Sequence, residues 1–244
     1  MNRARRRGLF LAFILASGAA ALSLAMIRSP HHSPASQRAP AHRPKLLLLT
    51  SLPLLFDEEF GLQGSGSPAL KALRSRYKVV PISVADGAEL ARGRLLLLAQ
   101  PRAQTAENLV VLDAWVRKGG HLLLLADPLL DWPSKLPLGD VTRPPAMFTD
   151  TGLLAHWQLT LAAPDQRRPA TRKLAGKDIV TVSPGTLSGN CSTSPDGLVA
   201  DCRIGAGRVI VVADADFLNV DQLGAAAHDN LEALRAELAF LTHP

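Results

Sequence analysis

Four short apolar runs without polar alternation most constrain the fold of this 244-residue chain. They are Leu46–Leu49, Leu95–Leu98, Leu122–Leu125 and Val209–Val212. A strand that is apolar at every position is buried on both faces, which is typical of a parallel sheet covered by helices. We therefore predict an α/β fold with a mostly parallel sheet.

Helical patterns separate the apolar runs, as a parallel sheet requires. Ser67, followed by proline, is typical of a helix N-terminus, and Thr105 can cap a second helix. The spacing of leucines predicts two more helices, near residues 150–157 and over 229–241. Residues 77–83 form a fifth predicted strand, placed at an edge because it contains a proline.

Residues 179–204 have a different character, with short strand-like pieces and turns rich in proline and glycine. This pattern predicts a small antiparallel extension of the sheet. It contains Cys191 and Cys202, the only cysteines of the chain. In an oxidising compartment such a pair is expected to form a disulfide. Two free thiols are the alternative, and a zinc site is disfavoured because no further cysteine or suitably spaced histidine accompanies them.

An uncharged segment of 20 residues, 8–27, follows an arginine-rich N-terminus. Its length suits a membrane-spanning helix, with the arginines on the cytoplasmic side. The alternative is a cleaved signal peptide with Ser23 and Ala25 before the cleavage site, and both readings export the same domain. We predict a single-pass protein of the inner (cytoplasmic) membrane with a periplasmic domain. Its parts are a basic tail (1–7), a signal-anchor (8–27), a flexible linker rich in Pro, His and Ser (28–44) and an α/β domain (45–244).

The positive charge of the chain lies in its N-terminal part. The formal net charge is +6, but residues 1–45 hold eight basic residues and no acidic one. The remainder therefore has 19 basic and 21 acidic residues. Nucleic-acid binding needs a dense basic face on the folded domain, so we predict no nucleic-acid partner.

Polar residues stand just after the predicted strands. They are Thr50, Ser51, Gln100, Asp127, Asp214 and Asp216. The carboxyl ends of parallel strands line one crevice of an open α/β sheet, so these six residues are the candidate ligand crevice. Three aspartates could hold Mg²⁺ or Ca²⁺, yet aspartates at strand ends also serve as turn residues. We assign no metal and no cofactor to this crevice.

Several catalytic patterns are missing from the sequence. It has no G-x-S-x-G or G-x-C-x-G nucleophile elbow and no P-loop. His121, His156 and His228 are interpreted as packing or surface residues because no partner nucleophile accompanies them. Gly64–Ala69 match G-x-G-x-x-A, with Asp86 further on, but the glycines do not follow the first strand directly. A flexible loop and a helix cap explain this motif better than a nucleotide site.

Three stretches together carry a family resemblance: Leu112–Pro128, Gly205–Leu218 and Asp229–Leu231. They resemble the extracytoplasmic domain of gliding-motility-type auxiliary components of ABC transporters and, more distantly, the related domain of intraflagellar-transport proteins. The resemblance spans about residues 45–243. It implies a flavodoxin-related fold like that of class I glutamine amidotransferases, with Asp127 and Pro128 following the strand that carries the catalytic cysteine in those enzymes.

The resemblance implies a non-catalytic domain beside a membrane permease and a separate ATPase. Our first hypothesis is therefore a membrane-anchored periplasmic accessory module that assists an ABC-type transport or envelope system. The second is a metal-dependent hydrolase that uses Asp127, Asp214 and Asp216. An enzyme predicts converging carboxylates with perturbed pKa values in an enclosed pocket, whereas a binding module predicts splayed, solvated aspartates and an exposed apolar patch.

Overall fold

A seven-stranded sheet organises the protein in a computed structural model that describes residues 43–56 and 66–242. The strands are β1 (Lys45–Thr50), β2 (Lys78–Pro81), β3 (Leu95–Ala99), β4 (His121–Leu125), β5 (Leu159–Ala162), β6 (Pro169–Leu174), β7 (Lys177–Val182), β8 (Thr186–Gly189), β9 (Ser192–Thr193), β10 (Val199–Ile204) and β11 (Gly207–Val212). Their order in the large sheet is β2-β1-β3-β4-β11-β10-β9. The first five are parallel, and β10 and β9 add antiparallel strands at one edge. The predicted α/β class, the four apolar strands and the edge position of the fifth are confirmed.

Burial on both faces explains the unbroken apolar runs. In β1, Leu46 and Leu48 belong to the core on one face of the sheet, and Leu47 and Leu49 to the core on the other. Successive side chains of a strand point to opposite faces, so a covered sheet needs leucine at every position. Each fully buried leucine contributes about 1.5–3 kcal/mol through the hydrophobic effect.

Helices cover the sheet on both sides. They are α1 (Pro68–Arg76), α2 (Gly87–Leu90), α3 (Ala106–Arg117), α4 (Leu153–His156), α5 (Val220–Leu223) and α6 (Asn230–Thr242). Leucines of α1 and α6 pack into one core, and those of α2, α3 and α4 into the other. Both predicted N-caps are confirmed, because Ser67 Oγ accepts from the Leu70 amide at 3.1 Å and Thr105 Oγ1 from the Asn108 amide at 3.3 Å.

The antiparallel part is larger than the sequence predicts. Strands β5 and β8 form one two-stranded ribbon, and β6 and β7 form another. Only β9 and β10 extend the large sheet. Cys191 and Cys202 form a disulfide with Cα atoms 4.9 Å apart, which confirms the predicted pairing and excludes the free-thiol and zinc interpretations.

A tight turn joins β10 to β11, as the glycines predict. Gly205 has φ +60°, a left-handed conformation that glycine adopts without strain. At Gly207 a Cβ atom would lie 2.1 Å from the Val116 carbonyl oxygen and 2.4 Å from that of Gly120. The turn therefore packs directly on the C-terminus of α3, and only glycine fits at position 207.

The predicted signal-anchor (8–27) and nearly all of the linker lie outside the described residues. Within residues 43–56 and 66–242, no helix has the length and apolar character needed to cross a membrane. Of the G-x-G-x-x-A motif, the first two residues also lie outside. Asp86, which follows the motif, caps α2 by accepting a hydrogen bond from the Glu89 amide at 2.8 Å.

Candidate functional site

Three aspartates meet at the carboxyl edge of the parallel strands, and we call them the acid cluster: Asp127, Asp214 and Asp216. Asp127 follows β4, and the other two follow β11, which pairs with β4 in the sheet. One carboxylate oxygen from each residue lies within 4.8 Å of the others. The residues are 0%, 0% and 3% exposed, so the cluster is buried beneath the neighbouring loops.

Asp127 joins two loops through its carboxylate. Its Oδ1 accepts from the Leu129 amide at 2.8 Å, and its Oδ2 accepts from the Ala215 amide at 3.0 Å. Its own backbone is held by Gln100, whose Oε1 accepts from the Asp127 amide at 2.9 Å and whose Nε2 donates to the Asp127 carbonyl at 3.1 Å. The carboxylate thus ties the segment after β4 to the segment after β11.

The other two acids bond to β7, to the segment after β11 and to the segment after β4. Asp214 Oδ1 accepts from the Thr181 hydroxyl and from the Phe217 amide, the latter at 3.0 Å. Asp216 Oδ2 accepts from the Asp131 amide at 2.8 Å. Asp214 Oδ2 and Asp216 Oδ1 are buried and have no hydrogen-bond partner among the described residues. Four of the six carboxylate oxygens are therefore partnered, and two are not.

Burial raises the pKa of all three acids. It raises the pKa of Asp127 to about 6, against the opposing effect of hydrogen bonds from backbone amides. Burial and the nearby charge of Asp127 raise the pKa of Asp216 to about 8. The pKa of Asp214 is raised well above its usual value, first by burial and then by the charge of Asp127. Like charges in a water-poor site disfavour ionisation, so the cluster cannot easily carry three negative charges on its own.

The remaining predicted crevice residues hold strand ends in place. Thr50 Oγ1 accepts from the Leu52 amide at 2.9 Å. The Ser51 hydroxyl donates to the Gln100 carbonyl, and Gln100 in turn holds the backbone of Asp127. Gln100 has φ +46°, an unusual conformation for a residue other than glycine. Of the six predicted residues, the structure thus brings the three aspartates together and links Gln100 and Ser51 to them through the backbone.

Asn230 belongs to the surroundings of this site, although no candidate pattern in the sequence includes it. Its Nδ2 donates to the carbonyls of Val180 at 2.7 Å and Phe217 at 2.8 Å, and its Oδ1 accepts from the Val180 amide at 2.9 Å. The residue is fully buried at the start of α6. The Asp-Asn pair at a helix start was the available signal, whereas nothing in the sequence marked Thr181.

A long loop lies beside the acid cluster, between β4 and α4, and we call residues 126–152 the β4–α4 loop. It contains no helix or strand. Arg102 Nη2 donates to the Arg143 carbonyl at 2.6 Å, and Gln100 Nε2 to the Pro145 carbonyl at 3.3 Å, so the loop is fixed to the sheet edge. Even so, it exposes 89% of Leu138 and 81% of Val141.

The histidines lie apart from this arrangement. His121 begins β4, at the amino edge of the strand that precedes Asp127. Its pKa is lowered, first by burial and then by Arg94 and other nearby arginines. His156 Nε2 lies 3.5 Å from Asp113, and His228 Nε2 lies 3.3 Å from Asp229. The structure therefore gives the acid cluster no histidine partner among the contacts of the described residues.

Comparisons with known proteins find a shared fold and no family. No protein-family model and no curated protein matches the sequence. The mmIFT52 N-terminal domain superposes with a TM-score of 0.52 at 16% identity, covering 81% of this chain and 98% of that one. Cytoplasmic Protein STM3548 from Salmonella typhimurium gives a TM-score of 0.51 at 12% identity, covering 81% of this chain and 98% of that one.

A third neighbour is much longer than this chain. The exo-beta-1,4-mannosidase Op5Man5 from Opitutaceae bacterium strain TAV5 gives a TM-score of 0.49 at 15% identity. The match covers 83% of this chain but only 37% of the mannosidase. It carries no argument about function, because a fold hosts many unrelated activities.

Proposed function

We propose that the protein is a non-catalytic binding module that residues 8–27 anchor in the cytoplasmic membrane, with its α/β domain in the periplasm. In this role it assists an ABC-type transport or envelope system and works beside the permease and the separate ATPase of that system. The observation that carries the non-catalytic part is the burial of the acid cluster under hydrogen bonds to backbone amides. A substrate would have to displace these loops to reach the carboxylates.

The strand order supports the flavodoxin-like part of the proposal. Numbered among themselves, the five parallel strands run 2-1-3-4-5 across the sheet. This is the order of flavodoxin-like folds, which place ligands at the carboxyl ends of the strands. At that edge, Asp127 and Pro128 follow β4, so neither residue supplies the nucleophile of an amidotransferase.

The β4–α4 loop supports a binding role at the same edge. Loops of this length without regular structure are uncommon in compact domains and often have a function. The loop is pinned at its base by the acid cluster, yet Leu138 and Val141 remain exposed at its tip. An ordered loop with exposed apolar side chains suits recognition of a protein surface.

The structure contradicts one expected sign of the binding module and matches two expected signs of the enzyme. The aspartates are neither splayed nor solvated, so that expectation for a binding module is wrong. Their convergence and raised pKa values favour the alternative, a metal-dependent hydrolase. We favour the non-catalytic role because the carboxylates are buried. Hydrolysis requires substrate and water at the carboxylates, whereas carboxylates that only hold the loop in place require neither.

Crosslinking of the full-length protein in its native membrane tests the proposal. We expect a permease subunit among the crosslinked proteins, with at least a fivefold loss of that crosslink when Leu138 and Val141 are both changed to Ser. Val110→Ser is the matched control, because Val110 is 70% exposed but lies on α3, outside the loop. Crosslinking that is unchanged by the loop variant, or hydrolysis of a phosphoester or peptide by the purified protein that is lost in Asp214→Asn, would overturn the proposal.

A further inference from the structure

Two carboxylate oxygens of the acid cluster are in an unfavourable environment when only protein groups surround them. Asp214 Oδ2 and Asp216 Oδ1 are inaccessible to solvent and accept no hydrogen bond from a described residue. Buried carboxylate oxygens nearly always have a partner, because losing water without a replacement is costly. These two oxygens are therefore available to a ligand such as a metal ion.

The spacing of the carboxylates fits a single metal ion. One oxygen from each of Asp127, Asp214 and Asp216 lies within 4.8 Å of the other two. Calcium binds oxygen ligands at about 2.3–2.6 Å, so two ligands of one ion can lie up to about 5 Å apart. The separation therefore allows one ion to contact all three carboxylates.

The ligand types select a hard cation. The cluster offers only carboxylate oxygens, and both cysteines of the chain are joined in a disulfide. Oxygen ligands suit Ca²⁺ and Mg²⁺, whereas zinc and copper favour histidine and cysteine. Mg²⁺ loses its water reluctantly and usually keeps several water ligands, so a buried site with three carboxylates favours Ca²⁺.

We propose that Asp127, Asp214 and Asp216 form a structural Ca²⁺ site that locks the β4–α4 loop to the segment after β11. The ion would neutralise two of the three negative charges and provide the two unpartnered oxygens with a ligand. The inference does not depend on the proposed binding function, because a structural ion would stabilise the domain whatever its partner is.

A surface cavity lies beside the cluster. A cavity of about 490 Å³ is lined by residues that include Asp131, Trp132 and Arg167. The Asp131 amide donates to Asp216, so this cavity adjoins the cluster. Arg167 bonds to the Asp131 carboxylate at 3.1 Å, and its positive charge lowers the pKa of Asp127 and of Asp216.

The first test measures the thermal stability of the full-length protein in detergent, after removal of metal with EDTA. At free Ca²⁺ about 100-fold above its Kd, we expect the Tm to rise by about 5–10 °C. The rise should be lost in Asp214→Asn and in Asp216→Asn, two independent variants whose folding is checked by circular dichroism. It should persist in Asp178→Asn, because that carboxylate is exposed and pairs with Lys173.

A second test locates the ion with Tb³⁺, a luminescent substitute for Ca²⁺. Emission excited through tryptophan requires a tryptophan near the ion, and Trp132 lines the adjoining cavity. We expect Tb³⁺ emission that Ca²⁺ displaces and that falls at least threefold in Trp132→Phe. Emission that persists in Asp214→Asn as strongly as in Asp178→Asn would overturn the location. No rise of Tm with Ca²⁺, or a rise with Mg²⁺ alone, would overturn the assignment to calcium.

Discussion

Glu237 provides a direct test of the electrostatics in the core beside the sheet. It lies on α6, is only 5% exposed, and faces Asp201 of β10 and Arg208 of β11. Burial, together with the negative charge of Asp201, raises the pKa of Glu237 from 4.5 to about 7, against the opposing effect of Arg208. The folded protein therefore prefers the protonated side chain.

The raised pKa makes the stability of the protein depend on pH with a definite sign. Between pH 4.5 and about 7 the folded state binds more protons at Glu237 than the unfolded state, so stability falls as pH rises through this window. A pKa difference of about 2.5 corresponds to about 3 kcal/mol. Glutamine resembles the protonated acid but does not ionise. The free energy of unfolding of Glu237→Gln should therefore equal that of the wild type below pH 4.5. Above pH 8 it should be higher than that of the wild type by up to about 3 kcal/mol.

Urea unfolding of the full-length protein in detergent at pH 4.5, 6 and 8.5, followed by circular dichroism, measures this difference. Glu232→Gln is the matched control, because Glu232 lies on the same helix but its side chain is 55% exposed and pairs with Lys177. For this control variant we expect the free energy of unfolding to differ from that of the wild type by less than about 0.5 kcal/mol at every pH. A difference between Glu237→Gln and the wild type that stays constant with pH would refute the reasoning.

Three further predictions concern packing and the covalent bridge, and urea unfolding at pH 7 measures each. Asn230→Ala removes the partner of three backbone groups, two of Val180 and one of Phe217, and should lower the free energy of unfolding by about 2–4 kcal/mol; a loss below 1 kcal/mol would contradict this role. Gly207→Ala should cost about 1–3 kcal/mol through backbone overlap, whereas Gly87→Ala, with its nearest neighbour at 3.8 Å, should be close to neutral; equal effects would contradict the argument. Changing Cys191 and Cys202 together to Ser should cost about 3 kcal/mol, and the same loss should follow reduction of the wild type; no loss in either case would contradict the loop-closure argument.

Features that depend on local sequence could be predicted well. An unbroken leucine run such as Leu46–Leu49 has few alternatives to a strand covered on both faces, because exposing either half would be costly. The caps at Ser67 and Thr105 rest on bonds between residues three apart, which the sequence displays directly. The disulfide could be predicted because the chain has only two cysteines.

Features that depend on distant pairing could not be predicted. The ribbon of β5 and β8 joins Leu159–Ala162 to Thr186–Gly189, and no local pattern specifies that partner. The ribbon of β6 and β7 begins at Pro169, which reads as a turn residue in isolation. Asp86 could be compared with the acid of a dinucleotide motif only because the sequence did not reveal the short helix that it caps.

For the acid cluster, the ends of the strands predict where the acids lie but not whether they are buried. Because β4 and β11 are neighbours in the structure, acids just after them lie close together, and Asp127, Asp214 and Asp216 were among the six residues predicted from the strand ends. Whether such acids are open or covered depends on the β4–α4 loop, whose path is set by many weak bonds from distant residues such as Arg102. That loop converts an expected crevice into a buried anchor.

The same burial links the two proposals without making one depend on the other. Because Asp127 and Asp216 accept hydrogen bonds from the amides of Leu129 and Asp131, the cluster fixes the base of the loop that exposes Leu138. An ion at the cluster would then restrict the loop before a partner arrives, and a preordered loop loses less conformational entropy on binding. The three aspartates would then affect recognition by keeping the loop ordered. They can do this while they are buried and do not contact the partner.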